Sequence, residues 1–426
     1  MSSPRRRRGP EPVIRIIRSA TGARIAPQPW MTETPTRRVL AALAAGGAVA
    51  RFVGGSVRDT LLGRPVSDID IATSAAPEVV TALLQKARVK VVPTGVAHGT
   101  VTAVAKPRHF EITTLRRDVE PQGRRAVVAF VDDWRVDAER RDFTMNALFL
   151  DPDGTIHDYV GGLADVAGRR VRFVGDPATR IREDVLRLLR FYRFHAQLGH
   201  PPADGAARAA CRTLAALLPT LSAERVAAEL LKLLAARDPL PALTLMREDA
   251  VLPVILPEAT RFDRLAGMVA IEPETDAIRR LAALTAVDGE GALALARRLR
   301  LSNEQRDRLR ALATPEWPLN LADHTRAQRR ALYHLGLGRY RDLVLLRAAE
   351  EGSSAKRRAR TLLARADETG DLEFPLKGRD VTALRIQPGP RVGALLKELA
   401  AWWEAGDFRA DRKACLAELK RRAKEP

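Results

Sequence analysis

The stretch RFVGGSVRDTLLGRPVSDIDIATS, residues 51–74, decides the fold. It reads as a β-strand that ends in two glycines, followed by a short amphipathic helix and a second strand. The alternation in the second strand directs Asp68 and Asp70 to one face and Ile69 and Ile71 to the other. We therefore expect the isoleucines to be buried and the two carboxylates to share an open face of a sheet.

Gly54 and Gly55 stand where the first strand turns into the helix. Glycine lets a ligand phosphate approach the backbone, and the amides at the start of a helix attract anions. On its own, such a pair is more often a tight connection than a phosphate site. The sequence contains no G-x-x-x-x-G-K-[ST] P-loop, which argues against an ATPase of that type.

Two carboxylates on one strand face repel each other unless a cation lies between them. Hard oxygen ligands suit Mg²⁺, which also binds phosphate oxygens. Glu111, in the strand pattern HFEITTLR, is a candidate third carboxylate. An Asp-x-Asp pattern or a strand glutamate alone is typical of an ordinary solvated strand. The order of glycine turn, helix and Asp-x-Asp along the chain is what predicts a magnesium site at Asp68 and Asp70.

The composition is that of a globular protein of two to four domains, with 426 residues of which 46% are hydrophobic and 29% charged. The net charge is +19, of which residues 1–30 carry +6 and residues 31–426 carry +13. This excess favours a polyanionic partner such as nucleic acid. Arginine-rich, solvated helix faces would give the same net charge without any such partner.

Cys211 and Cys415 form neither a disulfide framework nor a zinc pattern, and they suit a reducing compartment. No apolar run reaches the ~18 residues of a membrane span. Residues 1–30 lack the apolar core of a secretory signal, and their Arg, Pro and Gly content predicts a disordered basic leader. We predict a cytoplasmic protein that has no membrane association and no protein partner.

Strand and helix patterns alternate over residues 31–160, which predicts a compact α/β head domain. After residue 161 the strand signals fade. The segments IREDVLRLLRFYRFHAQL and SAERVAAELLKLLAAR then read as consecutive amphipathic helices. The predicted fold class is therefore α+β, with a mixed head followed by helices over 161–235 and 236–426.

The segment AERRDFTMNALFLD, residues 138–151, predicts a helix capped by Asp142 or Thr144. A functional interpretation is that the segment offers arginine to a triphosphate and a carboxylate or amide to a ribose hydroxyl.

In RIREDVLRLLRFYRF, residues 180–194, Asp184 and Arg187 would be i, i+3 neighbours on one helix. Arg190 and Arg193 would extend a basic stripe on the same helix. Such a stripe is usually a set of solvated ion pairs.

Six motifs occur in a specific order and spacing: FVGGSVRD, SDIDIATS, FEITTLR, RRDFTMNAL, DYVGGLADVAGRRVRFVGDPATRIREDVLRLLRFYRF and LSAERVAAELLKLL. Together they resemble the class II tRNA nucleotidyltransferase and bacterial poly(A) polymerase family. The resemblance covers about residues 35–235 and, more loosely, the helical remainder. It implies a polymerase-β-like nucleotidyltransferase head followed by an all-α neck, body and tail that hold RNA.

The resemblance also implies roles for individual residues. Asp68 and Asp70 would bind Mg²⁺, with Glu111 as the third catalytic carboxylate. The residues implied in nucleotide binding are Gly54, Gly55, Arg58, Arg141, Asp142, Asn146, Asp184, Arg187, Arg190 and Arg193. Arg225 and the run KRRAR at 356–360 would hold acceptor-stem phosphates.

Within this set, Asp184 and Arg187 would read the incoming base. Cytosine and adenine each present an amino donor beside a ring-nitrogen acceptor, whereas uracil and guanine present a carbonyl acceptor beside an N–H donor. An acceptor and a donor side by side therefore match C and A, and mispairing costs about 1 to 3 kcal/mol per buried group.

The resemblance leaves two activities open. A CCA-adding enzyme would use CTP, ATP and tRNA and stop after three nucleotides, whereas a poly(A) polymerase would continue with A. The stretch VPTGVAHGTVTAV, residues 92–104, resembles the CCA-adding members more, and no catalytic role is assigned to its His98. A catalytically silent RNA-binding protein is a remote alternative, because Asp68, Asp70 and Glu111 are all present.

Some relatives carry a metal-dependent phosphohydrolase domain with clustered His-Asp pairs. This sequence has seven histidines and one adjacent pair, His157-Asp158, so we expect no such activity.

Overall fold

The structure is a computed structural model that describes residues 14, 16–19, 22–95, 99–120 and 127–423. His98 lies outside the described residues. The chain forms two compact units that divide after Ile255. The first unit contains every strand of the described chain, and the second is helical. The predicted α+β class is confirmed.

A nine-stranded sheet organises the first unit, in the order β1-β2-β11-β10-β3-β4-β7-β6-β5. Strands β8 and β9 form a separate two-stranded ribbon. The strands are β1 (Ile17–Ser19), β2 (Gly22–Arg24), β3 (Ala50–Val53), β4 (Ile69–Thr73), β5 (Lys90–Gly95), β6 (Thr100–Ala105), β7 (Arg108–Thr114), β8 (Arg116–Glu120), β9 (Val127–Phe130), β10 (Leu148–Leu150) and β11 (Thr155–Asp158).

The α-helices of the first unit lie between the strands and after them in the sequence. They are α1 (Pro29–Thr32), α2 (Thr34–Ala44), α3 (Gly55–Leu61), α4 (Pro77–Lys86), α5 (Trp134–Glu139), α6 (Gly162–Ala167), α7 (Pro177–Glu183), α8 (Leu186–Leu198), α9 (Gly205–Leu214), α10 (Ala223–Leu234), α11 (Leu240–Glu248) and α12 (Leu252–Ile255).

The predicted burial of β4 is confirmed, since Ile69 and Ile71 are fully buried. The parallel pairing of β4 with β7 sets Ile69 beside Phe110 and Ile71 beside Ile112, so these four side chains share one apolar face. Helices α2 and α4 pack against the same sheet. Covering one face in this way leaves the opposite face, which carries Asp70, for chemistry.

The prediction that residues 1–30 are disordered is wrong for residues 16–19 and 22–30. Strand β2 pairs with β11 and extends the central sheet, and Ile25 and Trp30 are buried. The Trp30 ring meets Phe52 edge to face, with 4.7 Å between ring centroids. Strand pairing and the buried side chains of Ile25 and Trp30, which the local pattern does not reveal, give the segment its structure.

The predicted helix in residues 138–151 is also wrong. Thr144–Asn146 form only a single 3₁₀ turn, and Leu148–Leu150 continue as strand β10. Neither Asp142 nor Thr144 caps a helix there. The apolar run is buried in the sheet, a case in which tertiary packing overrides local propensity.

The single helix predicted over 180–194 is interrupted at Asp184. Helix α7 ends at Glu183, Asp184 is extended with φ −150° and ψ 104°, and α8 begins at Leu186. The Asp184 carboxylate accepts a hydrogen bond from the Leu186 amide at 3.2 Å, as a residue at the start of a helix does. Asp184 and Arg187 are therefore not i, i+3 neighbours on one helix.

The second unit contains nine α-helices within the described chain. They are α13 (Phe262–Ile271), α14 (Ala277–Leu284), α15 (Gly289–Arg298), α16 (Asn303–Ala313), α17 (Thr325–Glu351), α18 (Lys356–Thr369), α19 (Gly378–Thr382), α20 (Pro390–Ala405) and α21 (Arg412–Arg422). Helix α17 is kinked at Gly336, where φ is +72°. No helix among the described residues is both long and apolar enough to cross a bilayer.

Candidate active site

Three carboxylates lie at the open face of the sheet. The register of the parallel pair β4 and β7 places Asp70 directly beside Glu111, and Asp68 immediately precedes β4. Asp68 and Glu111 are exposed, whereas Asp70 is half-buried. Burial raises the pKa of Asp70 to about 6, and the negative charges of Glu111 and Asp68 act in the same direction against Arg141 and Arg58.

This concentration of negative charge bears on the predicted metal. Among the described residues, no three His, Cys, Asp or Glu side chains already converge as a metal site, so the carboxylates are neighbours without a common centre. Their chemistry fits Mg²⁺, since all three offer hard oxygen donors and Asp70 carries repulsion that a cation would offset. The donor set therefore suits the predicted ion.

The glycine turn lies against the same carboxylates. Gly54 has φ +73°, and a Cβ atom built on it would stand 3.3 Å from Asp70 Oδ2 and 3.9 Å from Arg141 Nη1. A side chain at this position would be strained and would crowd the aspartate. The absence of a side chain thus lets the turn, Asp70 and Arg141 approach one another.

The buried acid Asp137 holds Arg141 in place. Asp137 of α5 accepts hydrogen bonds from Arg140 Nε at 2.7 Å and from Arg141 Nη2 at 2.8 Å. Burial alone would raise the pKa of Asp137, but the two arginines hold it below its usual value. Asp137 fixes the direction in which Arg141 presents its remaining donors.

A hydrogen-bonded chain connects helix α3 with helix α8. Arg58 pairs with Asp59 at 2.8 Å and donates to Asn146 Oδ1 at 2.7 Å. The Asn146 amide donates to Asp142 Oδ1 at 3.0 Å, and Asp142 Oδ2 accepts from Arg190 Nε at 2.8 Å. Burial opposes ionisation of Asp142, yet Arg190 and Asn146 lower its pKa to about 2.

Arg190 and Arg193 do not form the solvated stripe that the sequence suggests. Arg190 is committed to Asp142, and Arg193 is buried in an ion pair with Glu229 of α10. Arg193 also donates to Gln197 at 3.1 Å. The basic side of α8 therefore faces other parts of the protein.

Asp184, at the break between α7 and α8, and Arg187, in the first turn of α8, are held by different groups. Arg225 of α10 binds both Asp184 oxygens through Nη2, at 2.9 and 2.8 Å. Arg187 donates to Glu183, to the Arg180 carbonyl at 3.1 Å and to the Arg140 carbonyl at 3.2 Å. Each side chain is oriented by groups other than a ligand.

Both side chains keep hydrogen-bonding capacity. A carboxylate has about four acceptor sites, and Arg225 and the Leu186 amide occupy three at Asp184. A guanidinium has about five N–H donors, and three of those of Arg187 are occupied. An oriented acceptor and an oriented donor remain for a ligand.

Comparison with known proteins bears on these assignments. Residues 50–172 match the poly A polymerase head domain, and residues 204–263 match the probable RNA and SrmB-binding site of polymerase A. The chain is 33% identical to mouse (Mus musculus) CCA tRNA nucleotidyltransferase 1, mitochondrial, over 87% of this chain and 86% of that protein. The chain belongs to the tRNA nucleotidyltransferase and poly(A) polymerase family.

Two bacterial relatives agree with this assignment. The CCA-adding enzyme of Geobacillus thermodenitrificans is 44% identical over 47% of this chain and 49% of that protein. The crystal structure of the Bacillus stearothermophilus CCA-adding enzyme in complex with CTP is 30% identical, with a TM-score of 0.73 over 92% of this chain and 98% of that chain. The family resemblance and the polymerase-β-like head are confirmed, and the chain is a nucleotidyltransferase.

Membership of the nucleotidyltransferase family does not fix a compartment. The mouse relative is named mitochondrial, and the cytoplasmic location of this chain stays a prediction.

The contacts of three side chains were not predicted from the sequence. Arg225 holds Asp184, and its predicted phosphate contact stays a prediction. Asp137 and Glu229 were not singled out at all. An acid buried on an apolar helix face is the only signal available for the last two, because such a residue needs a partner.

Proposed function

We propose that this chain is a CCA-adding enzyme, which adds C, C and A to the 3′ end of tRNA from CTP and ATP. The observation that carries the proposal is the row of carboxylates beside the glycine turn, in a chain similar over most of its length to proteins named for CCA addition. The fixed pair of Asp184 and Arg187 supports the same activity.

Asp68 and Asp70, with Glu111 as the third carboxylate, would hold Mg²⁺. Bound there, Mg²⁺ would supply the Lewis acidity that activates a 3′-hydroxyl and offsets charge on a pyrophosphate leaving group. The donor set supports this assignment because its carboxylates crowd negative charge at the open face of the sheet.

The triphosphate would bind where the arginines meet the glycine turn. Gly54 and Gly55 leave room for its oxygens, and Arg58 and Arg141 supply positive charge from either side. Asp142 is ionised and fixed by Arg190, so it would accept a hydrogen bond from a ribose hydroxyl. Asn146 holds both Arg58 and Asp142 in place for these contacts.

Asp184 and Arg187 would select the base. The remaining acceptor of Asp184 suits the amino group of cytosine or adenine, and the remaining donors of Arg187 suit the adjacent ring nitrogen. Uracil and guanine would set acceptor against acceptor and donor against donor. Since the contacts to Arg225 and to backbone carbonyls precede ligand binding, the protein itself would act as the template.

The tRNA would bind along the helical parts of the chain. Residues 161–235 are proposed as a neck, and 236–426 as a body and tail that contact the acceptor stem. The match of residues 204–263 to an RNA-binding model and the +13 net charge of residues 31–426 support this role.

The test is incubation of the protein with Mg²⁺, each NTP singly and in mixture, and a tRNA transcript that lacks its last three nucleotides. Sequencing of the product ends should give CCA and nothing beyond. A long A tail with little C would identify a poly(A) polymerase. Binding of the transcript without any extension would identify a silent RNA-binding protein.

A further inference from the structure

Phe194 is a buried aromatic residue that three arginines surround. The guanidinium carbons lie 3.9 Å (Arg193), 5.0 Å (Arg58) and 5.3 Å (Arg190) from the ring centroid, and the side chain is 5% exposed. Arg190 and Arg193 are on the same helix as Phe194, whereas Arg58 comes from α3. One ring therefore connects the two helices.

Each of these guanidinium groups is restrained in two ways. An acid holds the edge of each group: Asp59 for Arg58, Asp142 for Arg190, and Glu229 for Arg193. Phe194 supplies an apolar surface with a negative electrostatic face, which attracts cations and lessens the cost of gathering three of them. Edge and ring contacts together fix both the position and the plane of each guanidinium.

The three arginines differ in how much they can offer a ligand. Arg193 is 9% exposed and serves as an anchor. Within the described structure, hydrogen bonds occupy three N–H groups of Arg58 and two of Arg190, out of about five on each. Arg58 and Arg190 thus keep donors for an anion, and Phe194 fixes the spacing between them.

We propose that Phe194 is a positioning residue for nucleotide binding, because its ring holds Arg58 and Arg190 at the spacing that receives the triphosphate of CTP and of ATP. This inference rests on the proposed function. It assigns Phe194 a role that is independent of the base, since the ring contacts Arg58, Arg190 and Arg193. Asp184 and Arg187 are held by other groups, namely Arg225 and backbone carbonyls.

The test compares Phe194→Leu with Phe191→Leu by steady-state incorporation into the shortened tRNA. Phe191 is also buried on the same helix, and its ring contacts are to Phe173, Tyr192 and His195. Phe194→Leu should raise KM for CTP and for ATP by the same factor, about fivefold to tenfold, with kcat changed less than about twofold. The inhibition constant of inorganic triphosphate should rise by that factor, and preference for C and A over U and G should not change.

A merely structural role for Phe194 would give a different pattern. A lower kcat or Tm with unchanged KM, or an equal KM increase in Phe191→Leu, would overturn the inference. If Phe194→Leu does not fold, Phe194→Met fills similar volume without an aromatic face and is read by the same criteria. If wild-type protein incorporates neither C nor A, the proposed function fails, and calorimetric binding of inorganic triphosphate still tests whether Phe194 positions the arginines.

Discussion

Asp70 and Asp142 are two aspartates of one compact unit with opposite electrostatic surroundings. Asp70 stands beside Glu111 and Asp68, and its pKa is raised to about 6. Asp142 is held by Arg190 and Asn146, and its pKa is lowered to about 2. Burial acts in the same direction on both, so the neighbours decide the outcome. The charges around Asp70 favour binding of a cation, whereas the charge of Asp142 is already balanced by Arg190.

The largest expected effect concerns the sheet carboxylates. The double variant Asp68→Ala/Asp70→Ala should reduce Mg²⁺-dependent incorporation by at least ~1000-fold, because several kcal/mol of transition-state stabilisation would be lost. Its Tm should not fall, since the change removes like-charge repulsion. Glu78→Gln, on the exposed side of α4, is the matched control. Wild-type incorporation by the double variant would refute the metal assignment.

The next effect tests whether the ion pair within the proposed neck orients Asp184 for base selection. Arg225→Gln should lower the preference for C and A over U and G by about tenfold to hundredfold, because Asp184 loses its orienting partner. Competition between the four NTPs in a single incorporation step measures this preference. Arg237→Gln, at an exposed arginine just beyond α10, should leave the preference unchanged. Equal selectivity in Arg225→Gln and wild type would contradict the role of Arg225.

Asp142 should contribute to stability in a pH-dependent way. Its pKa is lower in the folded protein than the ~3.9 of an unfolded chain, so the stabilisation is present above that value and is lost as pH falls toward 2. Asp142→Asn should lower the free energy of unfolding at pH 7 by about 2 kcal/mol. In urea titrations, the free energy of unfolding of Asp142→Asn should also fall less steeply than that of the wild type as the pH drops toward 2.

The control for this titration is Asp132→Asn, which changes an exposed aspartate of the same unit. If Asp132→Asn and Asp142→Asn destabilised the protein equally, the pairing with Arg190 would not be the source of the effect.

The smallest expected effect has the opposite sign and concerns Asp70. Its folded pKa lies above the unfolded value, so its favourable contribution is complete below pH ~4 and is lost as pH rises through 6. In EDTA, raising the pH from 5 to 7.5 should cost about 1 kcal/mol of stability through this partly exposed group. Mg²⁺ should reverse the loss, and Asp70→Asn should abolish it. A wild-type Tm that responds to Mg²⁺ equally at both pH values would contradict the assignment.

The two regions also differ in how far the sequence predicted them. The period-2 alternation of β4 predicted that Asp68 and Asp70 would face away from the buried isoleucines, and the structure confirms it. The glycine turn and the short helix after β3 were predicted equally well. These features depend on residues a few positions apart, which is the range over which patterns are informative.

The neck was predicted less well. The apolar spacing runs unbroken through residues 180–194, so the interruption at Asp184 left no signal in that segment. What holds Asp184 in an extended conformation is Arg225, which is 41 residues further along the chain. The same holds for strand β2, which pairs with β11 more than 130 residues further along the chain.

By itself, the sequence determined the strand, glycine turn and helix that begin at residue 51, the face of β4 that carries acid, and the family, because each depends on local spacing and motif order. Tertiary structure alone decided which charge each acid meets: Glu111 beside Asp70, Arg190 on Asp142 and Arg225 on Asp184. Ion pairs and strand register join residues that are distant in the chain. The ionisation of the aspartates follows from that assembly, since a carboxylate responds to the charges within a few ångströms of it.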